Sequence, residues 1–354
     1  MTTLFAFIAV FVPLVVIHEL GHFITAKLAG VKVEEFGIGL PPRIFGFRRG
    51  DTMYTLNAIP LGGYVKMLGE EDPSDPRSLS AKPVAVRAVV LGAGAAMNIV
   101  LAIVLFTIVF MVPRDVTVGD VTIAVVSPNS PAEAAGLQEG DIIRRVNGRR
   151  TENFADLRYQ YQLRLGATAA TQVERAGELL PPVDVKPRFK TPEGEGATGI
   201  QVSLVNPREA TRSAPFWTAV PRAGRQIGEV LVLMKNGIES WFVGGRSPQD
   251  DALGPIGIAR VTGEVAGLGI IPLLSFAALL SLNLAIFNIL PIPALDGGRL
   301  FFLAIEVVRR GKRIPPQKEA LVHLTGFALL LLLIVIISYN DIARIIGGES
   351  AFGG

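Results

Sequence analysis

The chain has 354 residues, half of them hydrophobic and 18% charged, with a mean hydropathy of +0.45. Soluble globular proteins rarely reach that value, so the composition points to an integral membrane protein, and the length allows two or three domains. A formal charge of +3 with basic residues spread through loops gives no support to nucleic-acid binding, and the absence of cysteine excludes disulfides, Cys-bound zinc and thiol nucleophiles.

Four apolar segments are each long enough to cross about 30 Å of hydrocarbon as a helix rising about 1.5 Å per residue. The first runs from Leu4 to Leu28 (span 1–30). It lacks the basic start and small-residue cleavage site of a signal peptide, and carries charge where a signal core is apolar. The second, Ala88–Val112 (span 84–112), has 25 residues without a charge, and the third, Val265–Leu290 (span 264–298), has 26. The fourth, Ala320–Ser338 (span 319–340), has 19 residues with His323 as its only titratable group.

The loop 31–83 holds seven Lys and Arg between Gly30 and Pro83, and the loop 299–318 holds six, from Arg299 to Lys318. Few lie near either terminus: none precedes Leu4, and the tail 341–354 has only Arg344. The positive-inside tendency then puts both loops in the cytoplasm, both termini outside, and the long segment between spans two and three outside.

Within that outer segment, 116–205 reads as a small α/β domain. Val121-Thr-Ile-Ala-Val-Val126 has a strand pattern, Ser130-Pro-Ala-Glu-Ala-Ala-Gly-Leu137 a short helix, and Asn147-Gly148 a hairpin turn. Its Gly-Leu-x-x-Gly-Asp-x-Ile…Asn-Gly pattern resembles a bacterial PDZ domain. The resemblance implies a groove that takes peptide ends by edge-strand pairing; the other reading is a spacer that restricts access.

His18-Glu19-Leu20-Gly21-His22 carries the strongest chemistry. Positions i and i+4 share a helix face, so both imidazoles can bind one metal, and the Glu beside the first can take a proton from activated water. Ionised groups near the bilayer centre cost at least about 2.5–3.5 kcal/mol each, and a metal is a good partner for them. Catalytic zinc needs a third protein ligand. Asp296, after the helix-breaking Pro291 and Pro293, is one candidate; by spacing alone an Asp-Gly turn at the membrane surface fits equally.

Taken together, the His-Glu-x-x-His motif, Asn288-Ile-Leu-Pro-Ile-Pro-Ala-Leu-Asp-Gly297, Asn57-Ala-Ile-Pro-Leu-Gly-Gly-Tyr-Val-Lys66, Gly254-Pro-Ile-Gly-Ile258 and Gly94-Ala-Ala-Met-Asn98 resemble, in order along nearly the whole chain, the site-2 protease family of intramembrane metalloproteases. The resemblance implies one zinc ion held by His18, His22 and Asp296, with Glu19 as general base. It implies that Asn288 and Asn283 hold the substrate or its oxyanion. It also implies that Thr55–Leu68 is a membrane-dipping hairpin bending at Gly62-Gly63 and, with Tyr64, binding an unwound substrate strand. The expected substrates are single-span membrane proteins, anti-sigma factors or remnant signal peptides, cut in a bacterial inner membrane with the site toward its cytoplasmic half.

The expected fold is thus a polytopic α-helical membrane protein with four spans, a membrane-associated β-hairpin and one inserted PDZ-like α/β domain. The segment 206–263, with Trp217 and Trp241 in Pro215–Val243, is expected to lie along the outer membrane surface. Two departures stand out: Gly94-Ala95 replaces the family's Gly-Pro, and there is room for one PDZ-like domain where some relatives carry two. Three other classes compete: a non-catalytic PDZ-bearing membrane receptor, a zinc protease with its site on a soluble cytoplasmic face, and a transporter. The first has no use for charged groups at membrane depth. The second finds only Glu34, Glu35, Glu70 and Glu71 in loop-like surroundings, and the third finds no inverted repeat.

Overall fold

The computed structural model describes residues 2–70, 72, 74–192, 194–245 and 253–347. They divide into two compact units, one built from segments 1–109 and 253–354 and the other from 110–252.

Four helices in the described residues are long and apolar enough to cross a membrane: α1 (Thr2–Leu28), α2 (Val84–Met111), α7 (Ile270–Ile289) and α9 (Pro316–Ile346). In the first unit α1, α2 and α7 meet through Val10, Leu14, Leu101, Leu105, Ala277 and Leu280. The run of small residues on α2 lets α1 come close: a Cβ on Gly21 would lie 2.4 Å from the Ala93 carbonyl oxygen. Close backbone approach at small residues is the usual way helices associate in lipid, where burial from water supplies no drive.

A twisted ribbon follows α1: β1 (Val33–Arg49) and β2 (Thr52–Met67). Residues 35–38 pair on one side with 53–56 and on the other with 63–66, so β2 doubles back around β1. The chain reverses at Gly50-Asp51, where Gly50 has φ +61°, and the ribbon is therefore larger than Thr55–Leu68. Gly62 (φ +102°) bends its second strand, whereas Gly63 does not take up a positive φ. Val33 and Met67 pack with Ala26, Val90, Leu91 and Leu303, which ties the ribbon to α1, α2 and the helix after α7.

The third apolar segment is split. Helix α6 (Pro255–Gly267) stops at Leu268-Gly269, where Gly269 takes φ +114°, and the membrane-length helix α7 begins only at Ile270. Segment 206–263 is accordingly not one amphipathic element, because it holds the end of a strand, helix α5 (Phe216–Phe242) and most of α6. After α7 the chain forms a tight loop from Leu290 to Leu295, with Leu295 N–H donating back to Ile292 O (3.2 Å), and then enters α8 (Asp296–Val308).

The second unit is a seven-stranded sheet: β3 (Arg114–Val126), β4 (Ile142–Val146), β5 (Arg149–Arg150), β6 (Ala169–Arg175), β7 (Glu178–Leu179), β8 (Val183–Val185) and β9 (Ile200–Arg212). Its order is β7-β6-β4-β3-β9, with β5 on β4 and β8 on β6. Pairing of β3 with β9 runs from Arg114↔Arg212 to Val126↔Ile200, two residues before and seven beyond the expected limits 116–205. Helices α3 (Pro131–Ala134) and α4 (Phe154–Gln162) cover a core of Val121, Ile123, Ile143, Leu157, Tyr161 and Val173. The Asn147-Gly148 turn has the two positive φ values of a tight hairpin, +52° and +76°.

Candidate metal centre

Helix α1 puts His18 and His22 on one face, with Nε2 atoms 3.2 Å apart and both residues buried. Asp296 opens α8, and its Oδ2 lies 3.1 Å from each of those nitrogens. Donor atoms about 2.0–2.1 Å from a tetrahedral zinc stand about 3.3 Å from one another, so the three fit one ion and leave a fourth position open. The residues that sequence spacing left undecided are therefore brought together: Asp296 faces both imidazoles.

Local chain chemistry explains how Asp296 gets there. Pro291 and Pro293 cannot continue α7, and Ala294 takes φ +78°. The strained Ala294 N–H donates to His323 Nδ1 (2.9 Å) on α9, so a histidine outside the ligand set steadies the loop that delivers the carboxylate. The loop then folds tightly over the first turn of α8. A Cβ on Gly297 would lie 2.0 Å from the Leu290 carbonyl oxygen, and one on Gly298 2.6 Å from that of Ile292. Gly326 of α9 has the same role beneath Pro293, where a Cβ would come within 2.2 Å.

Helix α2 forms the back of the centre. His22 Nδ1 donates to the Val90 carbonyl (2.8 Å), which leaves Nε2 as the ligand nitrogen. Gly94 lies directly behind the ligand atoms: a Cβ there would be 2.4 Å from His22 Nε2 and 2.7 Å from His18 Nε2. The next residue, Ala95, is buried in an uninterrupted helix, so the missing proline leaves α2 unbroken and takes no polar group from the site.

A cavity of about 90 Å³ is lined by His18, Glu19, His22, Val65, Met67 and Asp296. Glu19 thus opens on the same space as the three donors. Gly63 lies against it, since a Cβ there would be 3.2 Å from Glu19 Cγ. At the rim, Arg299, one turn after Asp296, pairs with Glu70 just beyond β2.

The other expected substrate contacts lie apart from this cavity. Tyr64 donates to Glu35 Oε1 (2.6 Å) and covers Gly37, where a Cβ would be 2.4 Å from its ring. Asn288 is buried and donates to Leu284 O (2.9 Å) within α7. Asn283 is half-buried on the same continuous helix. Five residues correspond to about 140° of rotation at 100° each, so the two asparagines point to different faces. Gly62 packs near Leu40 of β1.

The sequence reading left out two roles. Gly94 stood inside a matched motif, but only the meeting of α1 and α2 shows why it lacks a side chain. His323 stood out only as the titratable group of the fourth span, because Ala294, whose N–H it accepts, lies 29 positions away.

Comparison with known proteins agrees with this geometry. The model of Peptidase family M50 matches residues 6–333. A protein of Clostridium perfringens is 38% identical over 97% of this chain and 98% of its own length. The zinc metalloprotease RasP of Shouchella clausii is 32% identical over 98% of this chain and 100% of its own. The regulator of sigma-W protease RasP of Bacillus subtilis is 30% identical over 97% and 99%. The alignment to the Shouchella protein spans 437 positions against 354 residues here, so that relative carries segments this chain lacks. With near full-length similarity and a His-His-Asp cluster built for one ion, the chain belongs to peptidase family M50, the site-2 proteases, and is a membrane-embedded zinc metalloendopeptidase.

Proposed function

We propose that this chain cuts single-span membrane proteins within a bacterial cytoplasmic membrane, with anti-sigma factors or remnant signal peptides as substrates. His18, His22 and Asp296 hold the zinc and Glu19 is the general base. The observation that carries this reading is the mutual approach of three donor atoms, 3.1–3.2 Å, in a cavity that Glu19 also lines. Bound zinc supplies Lewis-acid activation of water and of the scissile carbonyl. Glu19 accepts the proton of the attacking water and returns it to the leaving amine nitrogen as the C–N bond breaks. Asp296 and the two imidazoles keep their orientation through the tight Leu290–Leu295 loop and through α2. The name of the Bacillus relative, a regulator of sigma-W protease, supports the anti-sigma-factor class.

A helical substrate must unwind before its peptide bond can reach such a centre. Among the described residues, segment 63–67 of β2 pairs on one side only, with β1, and Val65 and Met67 border the cavity, which supports docking of an unwound strand along that edge. Leu40, Ile44, Phe45, Leu56 and Ile59 are exposed on the ribbon, as suits contact with lipid or an apolar substrate. His22 stands six residues, about 9 Å, from the end of α1 and just before the basic loop, which supports a site in the cytoplasmic half with both termini outside. In the second unit, β9 pairs on one side only among the described residues. We read that sheet as a PDZ-like module taking a peptide end, with α5 lying on the outer membrane surface.

Glu19→Gln tests the assignment. The variant is expected to retain zinc and to lose about 10²–10⁴-fold in cleavage of a co-expressed single-span substrate. Cleavage at the wild-type rate would sink the general-base role.

A further inference from the structure

At Asn98 three helices meet around a polar side chain that the mechanism does not use. Asn98 on α2 is fully buried, and its carbonyl accepts from the Ser281 hydroxyl of α7 (2.8 Å). Its side-chain amide faces His18 of α1, with Nδ2 3.3 Å from Nδ1, and its Oδ1 has no hydrogen-bond partner among the described residues. A buried amide oxygen without a donor is costly, and native structures rarely keep one without a use.

His18 supplies the use. Its Nε2 is the atom that faces His22 and Asp296. A neutral imidazole that gives its Nε2 lone pair to a metal carries its proton on Nδ1, and that N–H needs an acceptor. For His22 the acceptor is the Val90 carbonyl. For His18 the group found at Nδ1 is the Asn98 amide, which can present either end to the ring by a half turn of its side chain.

We propose that Asn98 is a positioning residue that sets the tautomer of His18 and switches with metal loading. Without metal, His18 Nε2–H donates to Asp296 and Nδ1 accepts from the Asn98 amide N–H. With metal bound, the ring proton resides on Nδ1 and donates to Asn98 Oδ1, while Nε2 serves as ligand. The ring holds one proton in both states, so no charge is added to the buried site. Ser281 fixes the α2 backbone at the point from which the amide pivots. The proposal rests on His18 binding through Nε2.

The test compares zinc retention of the full-length protein in detergent against a graded chelator, for Asn98→Leu, Asn98→Asp and His18→Ala, together with the visible spectrum of each cobalt-substituted form. Asn98→Leu fills similar volume but accepts nothing, and is expected to weaken zinc retention about 10–100-fold and shift the cobalt bands. Asn98→Asp keeps an acceptor and is expected to retain zinc at the wild-type level or tighter. Wild-type retention and spectrum in Asn98→Leu would overturn the proposal. Equal loss in both Asn98 variants would overturn it too, since packing and not acceptance would then be the property that matters. His18→Ala reports on the underlying reading: zinc retained there removes His18 from the ligand set, whereas zinc lost there but kept in Asn98→Leu rejects only the role of Asn98.

Discussion

Gly94 shows how one missing methyl group makes room for a metal centre. In a helix interior, alanine is ordinarily better than glycine by about 0.8–1 kcal/mol, so Gly94→Ala should favour α2 taken alone. The added Cβ would, however, lie 2.4 Å from His22 Nε2 and 2.6 Å from His18 Cε1, in a place where the facing helix leaves no slack. The expected outcome is a protein that melts lower than wild type, the overlap outweighing the helix propensity, and that copurifies with little zinc, as read by metal analysis and thermal scanning on the same sample. Unchanged zinc content would mean that α1 and α2 can separate at little cost. Much of this centre was legible in the chain itself: the i,i+4 histidines and the Glu between them state their helix face directly. Gly94 and Asn98 were visible only as members of a matched motif, because their roles depend on which side of α2 meets α1.

At the scale of elements, the ends of helices do much of the positioning. Asp341, near the end of α9 and buried, accepts from the backbone N–H groups of Gly257 (2.7 Å) and Gly254 (3.3 Å), and so caps the first turn of α6. Glycine at both positions allows the carboxylate to approach, since a Cβ on either would lie within 2.8 Å of it. This accounts physically for Gly254-Pro-Ile-Gly-Ile258, which the sequence offered only as a pattern. Asp341→Ala should cost about 1–3 kcal/mol, measured as a lower melting temperature in detergent, because buried donors lose their acceptor. No change in melting would show that water replaces the carboxylate there. The split between α6 and α7 escaped the hydropathy reading for a related reason. Leu268-Gly269 is as apolar as its surroundings, and only the positive φ of Gly269 marks the break.

Over the whole molecule, buried charge is handled by pairing in both units. In the first, Arg87 meets Glu306 through two bonds of 2.7 and 2.9 Å, and Arg313 adds a third at 3.2 Å. The guanidinium of Arg87, with that of Arg313, holds the Glu306 carboxyl below its ordinary range against the effect of burial. In the second, Asp141 is fully buried beneath Arg175. Burial alone would push the Asp141 carboxyl up, but the Arg175 fork, the Gln138 N–H and the Arg175 charge together bring it below its usual value. A carboxyl lowered in the folded state adds stability that is present above its unfolded pKa, about 3.9, and is lost as pH falls through the lower folded value. Protection of the β4 and β6 amides against exchange, measured relative to the intrinsic rate at each pH, should therefore fall in the full protein below about pH 4. In Arg175→Met burial should instead hold the Asp141 carboxyl above its unfolded value, so the sheet is weakened at neutral pH and regains protection as pH falls through that raised value. Identical acid profiles in the two proteins would remove this pair from the stability of the sheet.

Membrane character, four long apolar helices, the α1 metal motif and the Asn147-Gly148 turn were determined by the sequence alone. Each is a property of neighbours along the chain: hydropathy over a span, an i,i+4 face, two residues that tolerate positive φ. Tertiary structure decided the rest. It brought Asp296 to His18 and His22, held its loop by His323, wrapped β2 around β1, and set Asn98 against the far nitrogen of His18. These contacts join residues up to 278 positions apart, and no local periodicity carries that information. It is the packing of α1, α2, α7 and α9 around a few small side chains that makes them.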